Sequence, residues 1–300
     1  MVVDAPAEKQ ALAIRPSVLN MLLFLSSNRG QEILMSKQFD DAPVSLFGGV
    51  DRLVTDYLGI ANHRHWSAVL ALCDAPPATF DGALLVKHMF STVSANWLGC
   101  LEALERPPSR QNWRWFDPKP DISPHNTSPE VTLERALIAA ALVQGRRDWS
   151  NQVPIASGMA GSGDRRRAID LVHERGPGTF DFVELKIASD NPLFAAIEIL
   201  EYGLVWLLSR QHRASLGYVG RPPIEATEVR LSVLAPSAYY RELDLSWLAD
   251  GLDVGLRELG KREGGVNLAF AFEAFPPRFS WPAEYSDAAL CGLLDGRLPR

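Results

Sequence analysis

The chain has 300 residues, 47% of them apolar and 22% charged, an ordinary globular composition that excludes disorder and fibrous repeats. A formal charge of −6 excludes a global basic field for nucleic acid, although overall charge leaves room for a local basic site. Three widely separated cysteines, Cys73, Cys100 and Cys291, fit no metal-ligand spacing and point to reduced thiols in a cytoplasmic protein.

Residues 1–105 read as a mainly helical N-terminal region. The run VLNMLLFL (18–25) is too short to span a bilayer and has no basic leader or cleavage site, so a core helix is expected and a membrane is not. SAVLALCD and GALLVKHMFSTVSANWLGCLEALE carry apolar residues at three- and four-residue spacing. In HRHW, His63 and His65 lack a second ligand pair nearby and read as surface histidines. Residues 106–126 hold Pro, Asn, Ser and aromatics without a period and read as a linker packed down by Trp113, Trp115 and Phe116.

Residues 127–300 are better punctuated. TSPEVTLERALIAAALVQG opens with Thr127 and Glu130 at capping-box spacing, has Pro129 in its first turn and stops at Gly145. NQVPIAS is strand-like, GMAGSGD is a glycine-rich turn, and RRRAIDLVHE and TFDFVELKI form two strands joined by RGPG. A helix follows in NPLFAAIEILEYGLVWLLSR, with Asn191 as cap and Pro192 at its first position. EVRLSVLAP and VNLAFAFEAF are further strands. The order is helix, three strands, helix, strand.

Three charges interrupt the apolar strands. Glu184 and Lys186 share one face of theirs, and Asp170 in AIDLV reaches that face if the two strands pair through the RGPG turn. Buried charges are costly unless engaged. Two carboxylates and an ammonium at one point suit a divalent cation, Mg²⁺ or Mn²⁺, and phosphate chemistry.

With IDLV followed by ELK, each inside an apolar strand, the chain resembles the PD-(D/E)XK nuclease superfamily. That resemblance implies an α/β fold, a restriction-endonuclease-like αβββαβ core with a mixed sheet, preceded here by the helical N-terminal region. It implies Asp170 and Glu184 as metal ligands and Lys186 as the water-orienting, charge-stabilising group, the three forming the catalytic set. The first core helix of the family often adds an acid; Glu134 is the better choice, since Glu130 has its capping box. The motif expected on the next helix, Gln-hydrophobic-x-x-Tyr, corresponds to EILEY, so Glu198 and Tyr202 are auxiliary, with Glu198 in place of the usual Gln.

The resemblance further implies Mg²⁺-dependent hydrolysis of phosphodiester bonds, with DNA as the expected nucleic acid. Arg165, Arg166 and Arg167, just before the Asp170 strand, read either as a phosphate-contacting patch or as a solvated hairpin entry. A homodimer or a protein partner is compatible with cutting two strands. The competing readings are a catalytically inactive nuclease-fold protein that binds nucleic acid or serves assembly, and an enzyme acting on a small phosphorylated molecule.

Overall fold

The computed structural model describes residues 45–102, 109–123, 125–156, 167–241 and 243–300. The expected helix around VLNMLLFL, the turn GMAGSGD, and Arg165 and Arg166 lie outside the described residues. The elements in chain order are helices α1 (Val50–Leu58), α2 (Trp66–Asp74), α3 (Gly82–Glu102) and α4 (Pro129–Val143), then strands β1 (Trp149–Pro154), β2 (Ala168–Gly176) and β3 (Thr179–Leu185). They continue with α5 (Pro192–Gln211), the single turns α6 (Arg213–Leu216) and α7 (Pro222–Glu225), β4 (Glu228–Ala235) and the turn α8 (Ser237–Tyr240). Last come α9 (Ser246–Gly264), β5 (Asn267–Ala274), α10 (Asp287–Asp295) and β6 (Leu298–Pro299).

The protein is α/β. The strands of the described residues make one mixed six-stranded sheet in chain order. β2 runs antiparallel to β1 and β3, β4 and β5 continue parallel to β3, and β6 is antiparallel at the far edge. Helices cover both faces, which is why β3 is buried along nearly its whole length, Asp181 and Glu184 included. Phe180, Phe182 and Leu231 pack into one core with α3, α5 and α9. Val183, Leu185 and Leu234 pack into a second with α4 and α10.

The β2–β3 hairpin turns at Gly178, whose φ of 71° suits a residue without a Cβ. Its register pairs Leu171 with Val183 and Val172 with Phe182. One further step along the hairpin sets Asp170 opposite Glu184, on the face of Val172 and Phe182.

Residues 43–300 form one compact unit, so a boundary near residue 105 does not divide the described structure. Met89, Val93 and Trp97 of α3 share the core of Phe182 and Leu231. The physical reason is that an apolar helix face must be buried, and α9 offers a surface without side chains in the way. A Cβ on Gly82 would lie 2.1 Å from the Gly251 carbonyl carbon, and one on Gly255 would lie 2.8 Å from the Gly82 oxygen.

The segment expected as a linker is a strap around the β1 edge. Trp113 is fully buried with its ring stacked 6.1 Å from Phe182, and Trp115 meets Phe180 edge-on at 5.2 Å. α5 is long and apolar enough to cross a membrane, with a mean hydropathy of 1.5, yet 89% of that stretch is buried inside this protein.

Candidate active site

The site forms where β3 gives way to α5. Lys186 extends the parallel ladder, its backbone N–H donating to the Leu234 carbonyl at 3.0 Å. Glu130 then steers the chain: its Oε1 accepts the N–H groups of Ile187, Ala188 and Ser189 at 3.2, 3.3 and 3.2 Å. Burial raises the Glu130 carboxyl, but these bonds overcome it and hold the group at about 2. This differs from the capping box expected with Thr127. The N-cap of α4 is Ser128, which accepts the Val131 N–H at 3.4 Å, leaving Glu130 to organise the loop. Asn191 caps α5 by accepting the Phe194 N–H at 2.9 Å, with Pro192 in the first turn.

Asp170 and Glu184 come together. Asp170 Oδ2 accepts the Leu185 N–H at 3.0 Å, and its carboxyl is within hydrogen-bonding reach of Glu184. Burial pushes Asp170 up to about 6. Burial, then the Asp170 and Glu198 charges, push Glu184 well above the carboxylate range. Two carboxyls so placed resist being ionised together, a conflict that a cation relieves.

Lys186 Nζ lies 2.9 Å from Glu184 Oε1, 3.2 Å from Glu198 Oε2 and 3.5 Å from Asp190 Oδ2. Burial works against its charge, but the Glu184 and Glu198 carboxylates outweigh burial and raise its pKa far above that of a free lysine. Lys186 is therefore a fixed cation and not a proton acceptor. Glu198 spends its other oxygen on Tyr202, whose hydroxyl donates to Oε1 at 3.2 Å. A carboxylate in place of an amide here accepts from both neighbours, which a glutamine carbonyl and amide could not do equally well.

Glu134 reaches the same corner from α4. It accepts from the side-chain amides of Asn151 and Gln152, the latter at 2.7 Å. Burial, then the Asp170 charge, push its carboxyl up to about 7. Gln152 has a φ of 49° and falls between the paired residues Asn151 and Val153. That left-handed backbone is uncommon for a residue with a Cβ, and it turns the amide toward Glu134.

Arg167 immediately precedes β2, close to Glu201, Tyr202 and Glu198. Its guanidinium contacts Glu201 at 3.3 Å and lies 4.5 Å over the Phe47 ring. Reading the sequence missed Glu201, which is buried beside Arg167 and pushed well above its usual range by that burial. It also missed His63, which is 1% exposed and not at the surface. Asn191 Nδ2 donates to the His63 carbonyl at 2.9 Å and draws the turn onto α5, with the imidazole 5.6 Å from Phe194. Tyr239, after β4, faces the charges of Lys186 and Asp190.

Asp181, two residues before Val183, is fully buried on the other face of the sheet. Arg175, Arg230 and Arg297 lie 2.8, 3.0 and 3.0 Å from its carboxylate. Asp181 is the hub of a buried ion network.

Among the described residues, no group of three or more His, Cys, Asp or Glu side chains is arranged to hold a metal ion. The donors at the site are the Asp170 and Glu184 carboxylates. Two hard oxygen ligands suit Mg²⁺ or Mn²⁺, which keep waters and substrate oxygens in their remaining positions. Comparison with family models, with curated proteins and with solved structures returned no match.

Proposed function

We propose that the protein is a metal-dependent phosphodiesterase of restriction-endonuclease-like architecture, acting on nucleic acid and, by the resemblance of its motifs, on DNA. The observation that carries the reading is the convergence of the Asp170 and Glu184 carboxyls with the Lys186 ammonium. The chain order α4, β1, β2, β3, α5, β4 supports it, being the αβββαβ order that the motifs imply.

Asp170 and Glu184 would hold the cation, which would supply Lewis-acid chemistry at a phosphoryl oxygen when bound. Lys186 donates to the attacking water and offsets negative charge developing at phosphorus. Glu198 and Asp190 keep that ammonium in place, and Tyr202 orients Glu198. Glu134, held near neutrality, is suited to exchange a proton at physiological pH. Arg167, beside Glu201, is the described member of the arginine run that would contact phosphate.

A second reading, a nuclease-fold protein that binds without cutting, draws on one observation: three carboxylates surround Lys186 and offset its charge. Incubation with plasmid, linear duplex and single-stranded substrates in Mg²⁺ and in Mn²⁺ decides between them. Metal-dependent cleavage that disappears in Lys186→Ala and Asp170→Asn is expected. Wild-type protein inert on every substrate with both metals would sink hydrolysis of polymers, and activity on nucleotides alone would move the substrate class to small phosphorylated molecules.

A further inference from the structure

The chain is acidic overall, at −6, yet the strap carries the opposite charge. Arg110, Arg114, Lys119 and Arg147 are exposed, and Arg213 and Arg221 are half-buried beside them. Contacts make this one surface. Arg221 donates to the backbone carbonyls of Asn112 and Arg110, Asn112 donates to the Tyr218 hydroxyl, and Tyr218 donates its N–H to the Arg213 carbonyl. At the other end the Arg147 guanidinium lies 5.4 Å over the Phe116 ring.

Among the described residues, the acids in salt-bridge contact with these six cations are two. Asp117 lies 3.6 Å from Arg114 and 2.7 Å from Lys119, and Glu225 lies 3.6 Å from Arg213. Arg114 is close enough to lower the Arg221 pKa, after burial has done so. Cations crowded in this way repel one another and are relieved by a polyanion. The half-buried Trp115 and Phe116 sit among them, an arrangement of guanidinium and aromatic groups that suits a phosphate backbone carrying bases.

The strap also leads to the site. The Lys119 N–H donates to Asn151 Oδ1 at 2.7 Å, and Asn151 in turn donates to Glu134, whose pKa feels Asp170. Hydrogen bonds thus join the strap to the corner where the carboxyls converge.

We infer that residues 109–119, with Arg147, Arg213 and Arg221, form a binding surface for the phosphodiester backbone of a nucleic acid. The choice of polymer rests on the hydrolytic reading; the binding does not require that the protein cut. Anisotropy titrations of the full chain in EDTA, with fluorescein-labelled DNA and RNA strands of about 20 nucleotides, between about 50 and 200 mM salt, test it. Tighter binding of either strand supports the surface and names its polymer. The triple variant Arg110→Ser, Arg114→Ser, Arg147→Ser is expected to bind about tenfold more weakly, with a salt slope shallower by about 2, as three phosphate contacts near 0.7 each require. Loss of the same charge at Arg52, Lys87 and Arg257, on α1, α3 and α9, is expected to leave affinity within about twofold.

The surface is overturned if the wild type binds neither strand at the lowest salt, if both triple variants weaken binding alike, or if poly-glutamate competes as well as DNA and RNA. Cleavage is scored separately. A protein that binds through the strap but cuts nothing loses only the hydrolytic reading. One that cuts while the strap variant binds normally loses only the surface.

Discussion

Lys186 Nζ sits 3.2 Å from Glu198 Oε2, and this pair is what keeps a charged ammonium pointing at Glu184, 2.9 Å away. Lys186→Met keeps the side-chain length but leaves the buried Glu184 and the half-buried Glu198 without their counter-charge. Removing one partner of a buried pair costs about 3 to 5 kcal/mol. The loss is expected in full near neutral pH and much reduced at about pH 5, where Glu184, raised by burial, takes up a proton instead. Urea unfolding at both pH values checks this, and equal stability of variant and wild type at neutral pH would count against the pair.

The Asp170 carboxyl, raised to about 6, opposes folding whenever it is ionised. Its folded pKa lies above the unfolded value, so its contribution is fully present below about pH 4 and is lost as the pH rises through about 6. Asp170→Asn retains an oxygen for the Leu185 N–H and removes the charge. The variant is expected to be more stable than wild type by roughly 1 to 3 kcal/mol at about pH 8 and no different at about pH 3.5. Calorimetric titration with Mn²⁺ should show at least about tenfold weaker binding. A variant no more stable at the higher pH, with Mn²⁺ affinity intact, contradicts both the repulsion and the ligand role.

Much of this site was legible because its charges break an apolar pattern. Asp170, Glu184 and Lys186 stand out in buried strands, and Asn191–Pro192 announces the helix that follows. What was not legible depends on partners distant in sequence. His63 looked exposed because nothing local shows that Asn191 would bind its carbonyl. Asp181 carries no local sign of its network, because Arg230 and Arg297 come from strands and loops far along the chain. The helices before residue 105 join the compact unit of residues 43–300 for a related reason. Gly82, Gly251 and Gly255 are where α3 and α9 touch, a contact between segments far apart in sequence. Glu130 fitted a capping box locally, yet its carboxylate is spent on three amides more than fifty residues away.

Asp181 offers a test confined to the other face of the sheet. Its carboxylate offsets Arg175, Arg230 and Arg297, and hydrogen bonds and charges from His173, Arg230 and Arg297 overcome burial to hold its pKa far below that of a free aspartate. A depressed acid contributes stability above its unfolded pKa of about 4 and loses it as the pH falls. Asp181→Asn is expected to cost about 3 to 5 kcal/mol at neutral pH, measured by urea unfolding, while Mn²⁺ affinity at low temperature stays within about twofold. A large drop in that affinity would show that the two faces are coupled.

Glu134 sets the expected pH response of the site. Burial and the Asp170 charge hold its carboxyl at about 7, although Arg135, Asn151 and Gln152 pull the other way. Between its unfolded pKa and about 7 the folded protein keeps a proton that the unfolded chain releases, so stability falls across that interval and levels off above it. The raised pKa corresponds to about 3 kcal/mol at this buried position. Glu134→Gln removes the titration but leaves an amide facing one of its two amide donors, so the variant is expected to start less stable at about pH 5 and to lose less as the pH rises. The slope of melting temperature against pH, taken in EDTA, is the quantity to compare. Added Mn²⁺ favours ionised Asp170 and Glu184, and should raise the wild-type melting temperature more at about pH 8 than at about pH 5.5. A variant whose slope matches the wild type would remove Glu134 from the site's proton balance and leave it as a support for Asn151 and Gln152.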